Sequence, residues 1–123
     1  MDDHNLCIQV VAMPKDSNSS GDIFGGWLLS QMDLAGVVEC KKKHPGRYVT
    51  ITIDKMIFKK PVYIGDLLSI YCKIIKIGNT SITISIIAKV KRSMTNEFLT
   101  VTSGLFKYVH INEHKKPEKI NTE

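Results

Sequence analysis

Residues 24–43 restrict the fold of this 123-residue chain most, because they are predicted to form a helix with apolar side chains on nearly every side. Asp22 precedes the helix as its predicted N-cap, the pair Gly25-Gly26 stands near its start, and His44-Pro45-Gly46 ends it. A helix that is apolar all round must be buried. The rest of the chain is therefore expected to wrap around it.

Five predicted strands supply that wrapping. Residues 80–92 alternate most clearly, with Ile, Ala and Val at the even positions from 82 to 90 and mostly Ser, Thr and Lys at the odd ones. The other predicted strands are residues 6–13, 48–58, 67–77 and 97–110, and Gly65-Asp66 and Gly78-Asn79 mark turns. This order predicts an α+β domain in which a curved antiparallel sheet packs on one long helix. Open edge strands predict a dimer with a continuous sheet.

The length fits a single domain over residues 1–112, and the polar, lysine-rich residues 113–123 are expected to form a mobile tail. Three cysteines, Cys7, Cys40 and Cys72, are an odd number without a close pair, which argues against a disulfide framework and a zinc site. The start has no signal-peptide pattern, and no apolar run approaches the ~18 residues of a membrane span. We expect a cytoplasmic protein.

The net charge of +5 permits anionic partners. The lysines are scattered, and no arginine-rich stripe alternates with aromatic residues, so the composition does not favour nucleic-acid binding. A small molecule that carries phosphate groups suits this charge. The sequence has no HxxxH, HExxH or CxxC pattern, and therefore no metal site is predicted.

Asp33 is the one charged residue between positions 24 and 38. Burying a carboxylate is costly, and carboxylates in unusual surroundings cluster at functional sites. A structural aspartate, paired with a basic residue or placed at a kink beside Gly36, explains the spacing equally well. Both interpretations remain open on the residues alone.

Three neighbouring features bear on the choice. Asn18 lies in the turn-rich segment of residues 14–21, and Gly25-Gly26 places helix N–H groups where a developing negative charge would be stabilised. Close packing or a tight turn accounts for the two glycines as readily. Thr50 lies on the more polar face of its strand and, taken alone, is an ordinary strand threonine.

The motifs together resemble those of the YciA-type acyl-CoA thioesterases, bacterial relatives of the cytosolic acyl-CoA hydrolases. The resemblance covers about residues 8–110, and its most specific part is the block GDIFGGW followed by SQMD, residues 21–27 and 30–33. Further agreement lies in Val49-Thr50, in Phe58 with Lys60-Pro61, in residues 62–66 and in residues 78–82.

This resemblance implies a hotdog fold, hydrolysis of acyl-CoA to CoA and a carboxylic acid, and no metal or other cofactor. It also implies an active site shared between two protomers, commonly in a trimer of dimers. The family's catalytic aspartate, loop asparagine and facing-strand threonine fall on Asp33, Asn18 and Thr50. On this basis Asp33 is predicted to be a general base or nucleophile. The free N–H groups of the helix start predict that Gly25 or Gly26 polarises the thioester carbonyl.

The CoA part of such a substrate needs cations and polar backbone groups. The predicted contacts to its phosphates and pantetheine are Lys59, Lys60, Lys89, Lys91, Arg92, and the turn formed by Gly78, Asn79, Thr80 and Ser81. Two other functions stay open: a non-catalytic module that binds acyl-CoA, and a hotdog hydratase or dehydratase. The latter normally needs a histidine beside the acid, and none of the four histidines falls near Asp33 in the predicted helix.

Overall fold

The computed structural model describes residues 3–120 and has one helix packed on one five-stranded sheet. The elements in chain order are β1 (Asn5–Val11), a short 3-10 helix (Pro14–Asp16), α1 (Gly25–Lys43), β2 (Arg47–Phe58), β3 (Leu67–Ile77), β4 (Ser81–Lys91) and β5 (Phe98–Ile111). The strand order is β1-β3-β4-β5-β2, and all neighbouring pairs are antiparallel. The predicted two-layer α+β architecture is therefore confirmed.

The core lies between the helix and one face of the sheet, and the alternating residues of β4 form its centre. Its even-numbered residues are completely buried: Ile82, Ile84, Ile86, Ala88 and Val90. The register places Phe106 and Tyr108 of β5 directly opposite Ile84 and Ile82, on the same face. Each fully buried Ile contributes about 1.5–3 kcal/mol of transfer free energy, so this strand fixes which face of the sheet receives α1.

One side of the helix is not covered by the sheet. The buried residues of α1 are Leu28, Met32, Ala35, Gly36, Glu39 and Cys40, whereas Leu34 keeps 55% of its surface exposed. Beside this side runs the edge strand β2, with Val49, Ile51, Ile53, Ile57 and Phe58 exposed. The prediction of a helix buried on nearly all sides is thus wrong for the single chain, whose sheet covers one face only.

The segment after β5 folds back onto the domain as far as residue 120. An isolated bridge pairs Ile111 with Pro117, and the N–H groups of Glu118 and Ile120 donate to the carbonyl oxygens of His110 and Asn79, both at 2.9 Å. Ile120 is buried. This packing differs from the mobile tail expected over 113–123, because one apolar side chain anchors an otherwise polar segment; residues 121–123 lie outside the described part of the chain.

Candidate active site

The Asp33 carboxylate projects from α1 toward the edge strand β2. The Thr50 hydroxyl donates a hydrogen bond of 2.6 Å to its Oδ1 atom. Asp33 is partly exposed, and none of the ion pairs between described residues includes it. A carboxylate that is oriented by a neutral hydroxyl remains able to accept a proton at Oδ2, which an ion-paired structural aspartate would do poorly.

The Asn18 side chain is oriented by its own loop. Its Oδ1 atom accepts hydrogen bonds from the N–H groups of Ser20 and Asp22, at 2.9 and 3.1 Å. These bonds direct the carbonyl end of the amide into the turn and leave the NH2 end as a donor. Asp22 serves this turn, so the prediction that it caps the helix is wrong: the N-cap is Phe24, whose side chain makes no capping bond.

The start of α1 presents backbone donors without acceptors inside the helix. The Leu28 N–H is the first that donates within the helix, to the carbonyl oxygen of Phe24 at 3.2 Å. The N–H groups of Gly25, Gly26 and Trp27 therefore have no acceptor inside the helix. A methyl group on Gly26 would meet no atom within 4 Å, and one on Gly25 would only touch the Phe58 ring at 3.6 Å. Packing within the chain therefore does not demand these glycines, and the absence of side chains leaves the backbone N–H groups open to close approach.

A cavity of about 380 Å³ opens beside this helix start. Its walls are Asn18, Asp22, Ile23, Gly25, Leu28, Phe58, Lys59, Lys60, Pro61 and Val62. The volume lies within the range of small-molecule sites, and an apolar interior with a few polar groups at the rim is typical of them. The structure thus brings together four of the predicted site residues, namely Asn18, Gly25, Lys59 and Lys60.

Asp33 and Thr50 do not line this cavity. Asp33 follows Gly25 by eight residues, which is about 12 Å along a helix axis. Both groups lie along the side of the domain formed by α1 and β2, which is the side that one chain leaves open. A single chain therefore keeps the predicted site residues in two separated groups.

The predicted pantetheine turn does not line the cavity of its own chain. Gly78 N–H donates to the Ser81 carbonyl oxygen at 2.7 Å, which closes the hairpin, and Thr80 accepts from the His110 N–H at 2.8 Å. The His110 ring also packs against the His44 ring at the C-terminal end of α1, with centroids 4.8 Å apart. Gly78, Asn79, Thr80 and Ser81 consequently lie at the opposite end of the helix from Gly25.

The three predicted cations at the end of β4 have different surroundings. Lys91 is exposed, and the Lys89 ammonium lies 5.2 Å from the centre of the Phe98 ring. Arg92 is held inside the domain: its Nη1 donates to Asp66 Oδ2 at 2.5 Å and to the Pro61 carbonyl oxygen at 3.0 Å. The Arg92 guanidinium therefore pairs with the Asp66 carboxylate of its own chain, whereas a contact with a CoA phosphate was predicted.

Tyr108 also contacts Asp33, although no sequence pattern marks the tyrosine itself. Its side chain is fully buried, and its hydroxyl donates to the backbone carbonyl oxygen of Asp33 at 3.0 Å. Burial and the negative charge of Asp33 both raise the pKa of Tyr108, so the phenol stays protonated and remains a donor. One signal could have pointed to it, because Gly36 in the middle of a helix needs a packing reason.

Within residues 3–120, no group of three or more His, Cys, Asp or Glu side chains is placed to hold a metal ion, and no helix is long and apolar enough to cross a membrane. Cys7, Cys40 and Cys72 are unpaired thiols, and burial raises the pKa of Cys40 to about 12. Such a thiol is a poor nucleophile.

Comparison with known proteins identifies the class. The sequence profile of the thioesterase superfamily matches residues 20–95, and the chain belongs to this family. Among its relatives it is similar to the acyl-CoA thioester hydrolase YciA of Escherichia coli, with 38% identity over 122 residues that cover 97% of this chain and 92% of YciA. The predicted resemblance is confirmed.

Solved structures agree with this assignment. The chain is similar to the hexameric thioesterase y2039 from Yersinia pestis, with a TM-score of 0.92, 40% identity and 98% of each chain covered. It is also similar to Cj0915, a hexameric hotdog fold thioesterase of Campylobacter jejuni, with a TM-score of 0.90 and 42% identity over 95% of this chain and 90% of that one. The predicted hotdog fold is confirmed.

Proposed function

We propose that the protein hydrolyses acyl-CoA thioesters to CoA and a carboxylic acid, with Asp33 as the general base. The observation that carries the proposal is the Asp33 carboxylate, which is oriented by Thr50 at 2.6 Å and is neutralised by no cation among the described residues. Membership of the thioesterase superfamily and similarity to a named acyl-CoA thioester hydrolase support the choice of reaction.

The proposed reaction uses the groups already located. The N–H groups of Gly25 and Gly26 and the NH2 group of Asn18 donate to the thioester carbonyl oxygen and hold the negative charge that develops there. Asp33 takes a proton from water as the water oxygen bonds to the carbonyl carbon. The carbon–sulfur bond then breaks, and the proton passes to the leaving sulfur, which gives the acid and the CoA thiol. The proposed reaction uses no cofactor, and CoA takes part only as a portion of the substrate.

Direct attack by the Asp33 carboxylate is the alternative to this route. It would form a mixed anhydride between Asp33 and the acyl group, with CoA released in the first step. Rapid quenching followed by mass measurement of the protein tells the two routes apart. Detection of a protein species heavier by one acyl group would show that Asp33 acts as a nucleophile and not as a general base.

The two parts of the site become one site if two copies associate. The exposed side of α1 and β2 carries Leu34, Ile51 and Ile53 beside the Asp33–Thr50 pair. Unpaired edge strands recruit a second strand readily, and pairing of β2 with its counterpart would bring Asp33 of one copy toward Asn18 and Gly25 of the other. We therefore include a dimer through β2 in the proposal, and three such dimers in a hexamer, as the similar y2039 and Cj0915 are hexameric.

A lysine in place of Ile51, which is 54% exposed on β2, is expected to weaken the dimer and to lower kcat/KM by about tenfold or more, because it places a charge in an apolar edge. Light scattering and the thiol-release assay measure both effects at the same protomer concentration. The matched control is Ile75→Lys on β3, which is 52% exposed and lies away from β2. A monomeric Ile51→Lys protein with full activity would refute a shared site.

Lys59 and Lys60 are the proposed contacts to the CoA phosphates, because they stand at the rim of the cavity that contains Asn18 and Gly25. The pair Lys59→Glu and Lys60→Glu is expected to raise KM for acyl-CoA by about tenfold, as loss of a charged partner costs about 1.5–3 kcal/mol, with little change in kcat. Lys107→Glu on β5 is the control, since this exposed lysine lies outside the cavity. An unchanged KM would remove both lysines from the phosphate site.

Lys89 and the Gly78–Ser81 turn keep their proposed roles toward CoA only for a substrate held by a neighbouring copy, since neither lies at the cavity of its own chain. A reducing cytoplasm suits the proposal, because it keeps Cys7, Cys40 and Cys72 as the thiols seen here. These placements depend on the assembly described above.

A panel of acyl-CoAs from acetyl to palmitoyl, read by release of the free CoA thiol, tests the proposed function. We expect turnover of at least one member and a dependence of kcat/KM on chain length, because the cavity at Gly25 has apolar walls. Tight CoA binding without turnover of any member would favour a binding module. Hydration of an enoyl-CoA in place of hydrolysis would assign the protein to the other enzyme class.

A further inference from the structure

We propose that Tyr108 is a positioning residue for this reaction, and that its hydroxyl and that of Thr50 hold Asp33 at two points. Thr50 holds the carboxylate and Tyr108 holds the backbone of the same residue. The inference rests on the proposed function, because it assigns Tyr108 a role that is exerted through Asp33.

The first observation is that Thr50 and Tyr108 are opposite partners in the register of β2 and β5. Side chains of such a pair point to the same face, here toward α1. One hydroxyl reaches Asp33 Oδ1 at 2.6 Å, and the other reaches the Asp33 carbonyl oxygen at 3.0 Å. A cross-strand pair therefore contacts one helical residue through two hydroxyl groups.

The second observation is the space that the helix provides for the phenol. A methyl group on Gly36 would lie 1.9 Å from the Tyr108 hydroxyl oxygen and 2.5 Å from the ring carbon that bears it. Gly36 is three residues after Asp33 and so lies on the same side of α1. Glycine inside a helix costs about 1 kcal/mol relative to alanine, so the close approach of Tyr108 is maintained against the local preference of the chain.

The third observation concerns the carbonyl oxygen itself. Inside an α-helix the Asp33 oxygen already accepts from the N–H four residues later, so the phenol supplies a second bond to a group that does not require one. The bond fixes the distance between α1 and the sheet at the residue that carries the carboxylate. A misplacement of about 1 Å in a catalytic geometry can cost about 10²-fold in rate, which is how a bond to the backbone can affect the reaction.

Tyr48 offers a matched comparison. Its hydroxyl also donates to a backbone carbonyl oxygen of the helix region, that of His44 at 2.7 Å, but at the end of α1 distant from Gly25. Tyr48→Phe and Tyr108→Phe thus each remove a phenol hydroxyl that donates to a backbone carbonyl oxygen of this helix or its C-cap, and each leaves a ring in place. The Tyr48 hydroxyl also lies 3.4 Å from His44 Nδ1, so Tyr48→Phe removes at least as many contacts as Tyr108→Phe. A purely structural role predicts a loss of stability in both and a loss of kcat in neither.

The experiment compares the two variants as full-length assembled proteins. Tyr108→Phe is expected to lower kcat about tenfold with KM within twofold of the original and with the oligomer retained, whereas Tyr48→Phe keeps kcat within twofold. On an Asp33→Asn background, Tyr108→Phe is expected to lower kcat no further, because its effect is exerted through the Asp33 carboxylate.

Three results would overturn the inference: unchanged kcat in Tyr108→Phe, an equal fall in Tyr48→Phe, or a further tenfold fall on the Asp33→Asn background. If Tyr108→Phe loses the oligomer, Gly36→Ala tests the same contact by displacing the hydroxyl, and full kcat in that variant would also overturn it. Full activity of Asp33→Asn alone would instead refute the proposed function, so the two failures can be told apart.

Discussion

Replacement of Asp33 by asparagine is expected to lower kcat for acyl-CoA hydrolysis by about 10²- to 10⁴-fold, the usual contribution of a general base. Asparagine keeps the size of the side chain and an oxygen that accepts the Thr50 hydroxyl, so the local geometry should persist. It cannot accept the proton of the attacking water. The thiol-release assay measures kcat, and light scattering checks that the assembly is retained.

Glu39 provides the control for this substitution. It is the other acid in the interior of α1, is buried, and accepts hydrogen bonds from Asn5 Nδ2 at 2.8 Å and from the Cys7 thiol. Glu39→Gln retains an oxygen for Asn5 and is expected to leave kcat within about twofold, since no part of the proposed site contacts it. If Asp33→Asn retained more than a tenth of the original kcat, Asp33 would have no role as the base.

The buried framework was predictable from local patterns. The even-numbered apolar residues of β4 and the turn at Gly78-Asn79 specify a strand and a hairpin, and each predicted helix or strand boundary lies within two residues of the observed one. Such patterns report which face is apolar and do not report what covers it. This is why Leu34 was expected to be buried by its own sheet and is instead exposed.

The site was predictable only in part. Asp33 is recognisable from the sequence as the one charge in an apolar helix. Thr50 has no distinguishing local pattern and is predicted only from the resemblance to the thioesterases. Tyr108 lies 75 residues after Asp33, and its contact depends on the register of β5 against β2, which no local pattern fixes. Asp22 was mistaken for a helix cap because its turn with Asn18 uses the same residue types as a cap.

The surroundings of Arg92 differ from those that its place in the sequence predicts. At the end of a strand rich in lysine it resembled a surface cation for phosphates, yet its side chain is 12% exposed and pairs with Asp66, which is 2% exposed. The Tyr63 ring covers the guanidinium with its centre 4.4 Å away, and the Tyr63 N–H donates to Asp66 Oδ2 at 2.8 Å. The pair thereby ties the loop before β3 to the end of β4.

Arg92→Ala is expected to lower the free energy of unfolding by about 3–5 kcal/mol, because it leaves the Asp66 carboxylate buried without a cation. Urea denaturation at a fixed protomer concentration measures this loss. Adding Asp66→Asn to Arg92→Ala should restore part of the stability, since asparagine removes the charge and can still accept from the Tyr63 N–H. Lys89→Ala, near the end of β4, removes the cation–π contact with Phe98 and is expected to cost about 0.5–1 kcal/mol.

The same set of variants decides whether Arg92 forms a structural ion pair or binds a phosphate group of CoA. A structural ion pair predicts a large loss of stability in Arg92→Ala, a recovery with Asp66→Asn, and KM within about twofold in the recovered double variant. A phosphate ligand predicts a raised KM in the double variant, because that variant would regain its fold but not its affinity for acyl-CoA. A KM that stays raised about tenfold in the stabilised double variant would therefore return Arg92 to the CoA site.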